Sequence, residues 1–329
     1  MAVLGLDIGG ANLKAAHSSG QALSLPFALW KSPDLLPDAL GRLLQDMPPF
    51  DGLAVTMTGE LCDCFENKRQ GVLAILDALT ACAGQKLIHV WRNDGRFVDV
   101  AAARTTPLQV ASGNWLALAT FAGRYAPKGP ALLIDIGSTT TDIVPLRNGR
   151  PKPTGRTDLE RLHSSELVYS GVRRTPLCAL LASFGAMEVF ATTLDLYLLH
   201  DFLPEDPADC HTADGRPATK AAAEARIARM LCADLETCTA DDRLRLTMLA
   251  WDNQMMLLCM AFNRVVLNCL RALPKTILFA GEGEFLIRLA LKSQRDIPPC
   301  RVVSLSHELG PAISRSACAY AVAMLAAEH

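Results

Sequence analysis

Two aspartates stand out by what surrounds them. Asp7 ends the apolar run 2–6 and is followed by Ile8-Gly9-Gly10. Asp135 ends the apolar run 131–134 and is followed by Ile136-Gly137-Ser138-Thr139. The segments LGLDIGGANLKAAH (4–17) and LLIDIGSTTTDIVP (132–145) align without a gap. One strand–turn–strand unit is therefore used twice, a domain's length apart, unlike the short-period repeat of a solenoid. Without a Cβ, Gly9, Gly10 and Gly137 let the backbone turn tightly and come close to an anion. The N–H groups at the tips, the Asn12 amide and the hydroxyls of Ser138, Thr139, Thr140 and Thr141 can donate to phosphate oxygens. The carboxylates of Asp7 and Asp135 would repel phosphate unless Mg²⁺ or its waters lay between, and Mg²⁺ is commonly bound by one or two carboxylates plus phosphate oxygens. Lys14 can neutralise further phosphate charge. It stands where the second copy has Asp142, so the two hairpins are not chemically equivalent. Ordinary structural hairpins would explain one such segment. Two copies, with a third glycine-rich turn (Gly281-Glu282-Gly283) after the apolar run 277–280, favour a phosphate site.

The elements that would position these residues follow from the pattern. Residues 2–6, 12–17 and 22–30 read as a β-meander. Ser32-Pro33 starts a helix whose Leu36, Leu40, Leu43, Leu44 and Met47 share one face. Residues 53–57 and 86–92 read as strands around a helix at 71–82. The Pro/Gly/basic stretch 124–130 marks a domain boundary, after which the pattern restarts. Asn148-Gly149 signals a hairpin. Residues 218–232, 247–273 and 311–327 read as helices, and 277–280 as a strand. This mixed order predicts an α/β protein.

The bulk numbers agree with that reading. A chain of 329 residues, half of them hydrophobic, suits two domains, and a net charge of −2 argues against a broad nucleic-acid-binding face. No apolar run is long enough to span a bilayer and no signal peptide is evident, so a cytoplasmic protein with no membrane partner is expected. The 11 cysteines read as reduced, mostly buried side chains. The lone Cys62-x-Cys64 pair is weak evidence for zinc. Homo-oligomerisation is left open.

The two hairpins resemble the phosphate-1 and phosphate-2 motifs of the actin/hexokinase/Hsp70 superfamily. ILFAGEGEFLIRLAL (277–291) resembles its adenosine motif, and PAISRSACAYAVAML (311–325) the segment that crosses back to the first domain. The resemblance implies a two-domain actin-like ATPase (ribonuclease H-like) fold with a central interdomain cleft. Residues 1–127, completed by 311–329, would form the first domain and 128–310 the second. DIGSTTTDIVPL is most similar to the hydantoinase/oxoprolinase branch. MTGELCDCFENKRQGV (57–72), ASGNW (111–115), GVRRTPL (171–177) and TADGRPATKAAAEARIARMLCAD (212–234) resemble the methanofuran-biosynthesis synthases and their bacterial relatives, the tetrahydromethanopterin-linked C1-transfer pathway proteins.

That resemblance implies a Mg²⁺-dependent transferase of one-carbon metabolism. Its substrates would be a small-molecule diphosphate, a furanmethyl diphosphate, and a phenolic amine, a γ-glutamyl-tyramine whose phenol displaces the diphosphate. Asp7, Lys14 and Asp135 would serve the leaving group, and Gly281, Glu282 and Gly283 would line the nucleotide-like site. A base is useful because a free phenol has a pKa near ~10. Glu60, Asp63 and Asp94 are candidates, each following a strand or its turn. Arg173 and Arg174 could clamp the diphosphate or the γ-glutamyl carboxylate. Asp214 and Lys220 read as loop residues, and His211 and His307 as structural. Two alternatives remain. Asn93-Asp94 resembles the Asn-Asp pair of sugar kinases, which would make the chain a small-molecule kinase using ATP and releasing ADP. A non-catalytic nucleotide-binding regulator is the other.

Overall fold

The alternation of side chains along two short strands organises the whole molecule. The computed structural model describes residues 1–293 and 300–328. Among them are two six-stranded sheets. The first contains β1 (Val3–Ile8), β2 (Asn12–His17), β3 (Ala22–Pro26), β4 (Gly52–Met57), β5 (Leu87–Trp91) and β6 (Phe97–Val98), in the order β3-β2-β1-β4-β5-β6. The second contains β7 (Pro130–Ile136), β8 (Thr141–Arg147), β9 (Arg150–Pro151), β10 (Leu167–Val168), β11 (Thr276–Ala280) and β12 (Arg301–Ser304), in the order β10-β8-β7-β11-β12, with β9 also on β8. In each sheet a hairpin is antiparallel (β1–β2, β7–β8) and the next central pairing is parallel (β1–β4, β7–β11). This is one ribonuclease H-like sheet built twice.

The first lobe carries helices α1 (Leu36–Gln45), α2 (Lys68–Ala83), α3 (Val100–Thr105) and α4 (Asn114–Ala122). The second carries α5 (Asp158–Ser164), α6 (Leu177–Leu181), α7 (Thr193–Leu199), α8 (Lys220–Met230), α9 (Ala240–Arg264), α10 (Glu284–Ser293) and α11 (Leu305–Leu309). The chain then makes α12 (Pro311–Arg315) and α13 (Ala317–Ala327).

Side chains two apart on a strand share a face. Leu4, Leu6 and Ile8 pack outward with Leu40, Leu43, Ile75 and Leu79. Leu132, Ile134 and Ile136 pack outward with Leu194, Ile227 and Leu258. The inner faces, carrying Val3 and Ala54 from one sheet and Ala131, Leu133 and Val144 from the other, meet in one shared core with α4 and α13. Each sheet is thus buried on both faces, which explains strands that read as unbroken apolar runs. Asp7 follows Val3 and Gly5 on the inner face, and Asp135 follows Ala131 and Leu133. The same alternation therefore turns both carboxylates towards the space between the lobes.

Several element boundaries differ from the sequence expectation. The helix expected at 247–273 begins at Ala240, where Thr239 and Asp242 form a capping box, and ends in a π-turn at Val265–Leu270. The terminal helix expected over 311–327 is two helices broken at Ser316, and His329, the end of the segment 311–329, lies outside the described residues. The strand expected over 22–30 stops at Pro26. A short helix at Asp158–Ser164 was not expected. A capping box starts it, with Glu160 N–H donating to Thr157 and the Glu160 carboxylate accepting from the Thr157 N–H.

Candidate functional site

The hairpin tips are closed by equivalent bonds. Gly9 N–H donates to Asn12 O at 3.0 Å, and Gly137 N–H to Thr140 O at 2.9 Å. Among the described residues, the N–H groups of Gly10, Ala11, Ser138 and Thr139 donate to no protein acceptor. Such open amides at a turn form an anion-binding concavity.

Below the tips lie two rows of register partners. Lys14, Asp7 and Thr56 align across β2, β1 and β4. Asp142, Asp135 and Ala280 align across β8, β7 and β11. The rows are near enough for their charges to interact. Burial above all, with the charges of Asp142, Asp7 and Glu284 added and Lys14 opposing, holds the Asp135 carboxyl up at about 7. Burial also raises Asp7, against the pull of Lys14. Asp142 is raised by burial although Arg161 lies 2.8 Å away. Asp7 Oδ1 and Thr56 Oγ1 are buried with no hydrogen-bond partner. A crowd of partly neutralised carboxylates with an unpaired buried oxygen suits a hard cation, so Asp7 and Asp135 fit the Mg²⁺ role that the sequence implies. No group of three or more metal-ligating side chains occurs among the described residues, so any such ion would need phosphate or water oxygens to complete its shell.

The third turn abuts the second row. Gly281 has φ +85°, and a Cβ there would stand 2.5 Å from Asp135 Oδ1 and 2.2 Å from Ile136 O. Only glycine allows the turn to lie this close to the carboxylate. Glu282 is engaged by Arg173, whose Nη2 lies 2.6 Å from its Oε1, and Arg173 also meets Asp209 at 3.1 Å. Arg173 is thus neutralised by two carboxylates. Arg174 instead extends towards the first lobe, 5.4 Å from the centroid of the Trp30 ring. Both arginine N–H groups donate to Ser138 O at 3.0 Å, which ties GVRR to the second hairpin tip. Thr141 differs from its neighbours, because its hydroxyl donates to Ser170 O at 2.8 Å in the core.

Glu60 lies just beyond β4, beside the first tip, where Thr58 and Gly59 N–H groups bond Ile8 O. It is fully buried. Helix α2 presses on it, since a Cβ on Gly71 would stand 2.0 Å from Glu60 O. Ser112 Oγ lies 2.5 Å from Glu60 Oε1, while Glu60 Oε2 is buried without a partner. Burial raises the Glu60 carboxyl, with Ser112 and Lys68 opposing. Asp94 is paired with Arg92 at 2.9 Å. Asp63 is exposed. Asp214 contacts Arg216, Arg226 and Arg229, and against the upward push of burial the bonds from Arg216 and Arg226 hold it low, at about 2. Lys220 pairs with Asp201, and His211 and His307 are exposed. All 11 cysteines are free thiols.

Sequence reasoning missed the residues that join the lobes here. Asp158 of α5 meets Lys68 Nζ at 2.7 Å and Ser112 Oγ at 2.8 Å. Arg161, from the same helix, lies 3.9 Å from the centroid of the Trp115 ring. The capping signal Thr157-x-x-Glu160 could have found the helix. A second groove, lined by Phe184, Leu231, Leu246 and Leu249, involves none of these residues.

The hydantoinase/oxoprolinase family matches residues 51–242. The chain is 30% identical over 334 residues to (4-{4-[2-(gamma-L-glutamylamino)ethyl]phenoxymethyl}furan-2-yl)methanamine synthase of Methanocaldococcus jannaschii, covering 98% of this chain and 97% of that protein. It is 32% identical over 202 residues to the synthase of the same name from Methanococcus vannielii, covering 59% of this chain and 89% of the relative. In fold it resembles a Listeria monocytogenes protein assigned as an N-acetylmannosamine kinase, with 14% identity, a TM-score of 0.50 and 100% of both chains covered. It also resembles nucleotide-free acetone carboxylase, with 10% identity, a TM-score of 0.54 and coverage of 98% of this chain and 70% of that one. These structures share the two-lobed actin-like architecture. No helix among the described residues is long and apolar enough to cross a membrane.

Proposed function

The chain belongs to the hydantoinase/oxoprolinase family, and on that premise we propose that it is a transferase of methanofuran-type cofactor synthesis, joining the phenol oxygen of a γ-glutamyl-tyramine to a furanmethyl carbon as diphosphate leaves. The relative's name supports this reading, because its product contains a phenoxymethyl-furan ether. The observation that carries it is the pair of facing rows. Lys14, Asp7 and Asp135 interact in one buried space beneath two tips of open amides. Such a site answers the charge of a diphosphate.

The chemistry follows from where charge develops. The bond from the furanmethyl carbon to diphosphate breaks with its electron pair on the diphosphate. Lys14 and the amides of Gly10, Ala11, Ser138 and Thr139 meet charge that grows in the transition state, so they accelerate the step rather than only binding substrate. Mg²⁺ held between Asp7 and Asp135 would add neutralising charge on the phosphate oxygens. Arg174 and Trp30, set beside each other, suit the carboxylate and ring of the acceptor. Glu60 lies beside the first tip and takes the phenol proton.

The kinase reading competes because Gly281 shapes a nucleotide-like turn against Asp135. Isothermal titration with Mg·pyrophosphate, Mg·ATP and Mg·ADP separates the two, with Asp135→Asn as the control. Pyrophosphate binding that needs Asp135, with ATP weak, is expected. Tight ATP binding with little affinity for pyrophosphate would move the assignment to a kinase, as would ADP release that depends on an acceptor.

A further inference from the structure

We propose that Glu60, Ser112 and Asp158 form a proton relay across the lobe boundary, receiving the proton of the acceptor hydroxyl at Glu60 and releasing it to solvent at Asp158. The relay rests on the transferase reading for its acceptor, but its proton inventory stands on geometry alone.

Ser112 Oγ lies between two carboxyl groups, 2.5 Å from Glu60 Oε1 and 2.8 Å from Asp158 Oδ2. A hydroxyl has one hydrogen and can donate to one of them only. The other short contact needs a proton from the carboxyl side. Asp158 is 31% exposed and its Oδ2 lies 2.7 Å from Lys68 Nζ, the closer of the two carboxyl groups to that cation. Glu60 is fully buried and 3.8 Å from the same ammonium. The extra proton therefore sits on Glu60 Oε1, which donates to Ser112, and Ser112 donates to Asp158. The other groups acting on this site do not alter the assignment. Lys68 Nζ lies 3.3 Å from Ser112 Oγ, and the neighbouring Cys62 thiol, pushed up to about 11 chiefly by burial, stays neutral.

A neutral carboxyl can still take a proton if it gives one away. Glu60 Oε2 is the buried oxygen without a partner. As the acceptor O–H bond breaks, its proton binds Oε2 and its electron pair stays on oxygen to form the new C–O bond. The Oε1 proton passes to Ser112 Oγ, and the Ser112 hydrogen passes to Asp158 Oδ2. One proton enters and one leaves, and Glu60 ends neutral as it began. Asp158, reached by solvent, yields its proton to water. Asp158 belongs to the second lobe and its two partners to the first, so the path exists only while the lobes are in contact.

Difference infrared spectroscopy of the carboxyl stretch in the intact protein tests the inventory without substrate. At pH 7 a protonated-carboxyl band is expected that vanishes in Glu60→Gln and shifts in Ser112→Gly. Glycine accepts the φ of +50° at Ser112, so that variant removes the hydroxyl without straining the backbone. Absence of the band, or a band unmoved by Ser112→Gly, overturns the relay. With furanmethyl diphosphate, the phenolic amine and Mg²⁺, Ser112→Gly and Asp158→Asn should lose roughly 10²-fold in kcat at unchanged KM. Their rates should climb with pH as hydroxide replaces the relay, and Asp158→Glu should restore turnover. Asparagine still accepts from Ser112 but cannot carry the proton, so an Asp158→Asn variant at full rate also overturns it. A wild-type protein with no turnover would sink the transferase reading, and the infrared arm would still decide where the proton sits.

Discussion

Arg161 joins the two lobes through Trp115, its guanidinium 3.9 Å from the ring centroid, while the same side chain holds Asp142 at 2.8 Å. The arginine is almost wholly buried and its Nη2 also donates to Glu166 O at 3.0 Å. Replacing it by methionine keeps most of the volume but leaves Asp142 buried and unpaired. Such a loss is expected to destabilise by about 3–5 kcal/mol. Denaturant melts of Arg161→Met and of the double variant Arg161→Met/Asp142→Leu test this. The double variant should recover much of the loss, because the stranded charge is gone.

Asp135 makes the metal-free protein less stable as pH rises. Its folded pKa of about 7 lies above the ordinary carboxylate value of 3.8. The folded state therefore binds the proton more tightly than the unfolded state. The stabilisation is complete below the unfolded value and is lost as pH climbs through about 7. Calorimetry in chelator should show Tm falling between pH 5 and 8, and Asp135→Asn should flatten that slope. Binding of Mg·pyrophosphate at pH 7 should release protons, read as a dependence of the titration heat on the buffer's ionisation enthalpy.

Lys14 is the cation of the first row. Lys14→Met keeps the aliphatic stem and removes the charge opposite Asp135. Transfer should fall by about 10²-fold or more, and pyrophosphate affinity should fall with it. Far-UV circular dichroism should be unchanged. Full affinity in the variant would place the leaving group elsewhere.

Gly71 and Gly41 both lie inside helices and should respond oppositely to alanine. Helix propensity favours alanine by about 1 kcal/mol at each. At Gly41 nothing lies within 4 Å of the new Cβ, so the gain should appear as a higher Tm. At Gly71 the Cβ would stand 2.0 Å from Glu60 O, which is backbone and cannot rotate away. Overpacking of about 1–3 kcal/mol should win there, lowering Tm and displacing Glu60.

The hairpins were legible because their chemistry is local: a buried strand, an aspartate and a glycine turn lie within a few residues. Two-residue alternation then tells which face Asp7 and Asp135 share. The connection between the lobes was not legible. Arg161 and Asp158 sit in a short charged stretch, and their partners Trp115, Ser112 and Lys68 are far away in sequence. The break at Ser316 was hidden by a run of small residues that suits a continuous helix. Glu282 gave no sign that its carboxylate would be taken by Arg173, because that pairing arises only once the turn after β11 meets the GVRR segment.

The register rows have a consequence for orientation. Lys14 and Asp142 hold matching places beside Asp7 and Asp135, with opposite charge. Two identical walls would present the same face to either end of a ligand and could not tell head from tail. With Lys14 on one wall, and Asp142 on the other already ion-paired with Arg161, the positive charge lies to one side and the chamber has an electrical polarity. An elongated molecule that is anionic at one end and neutral at the other has a single favoured way to lie in it.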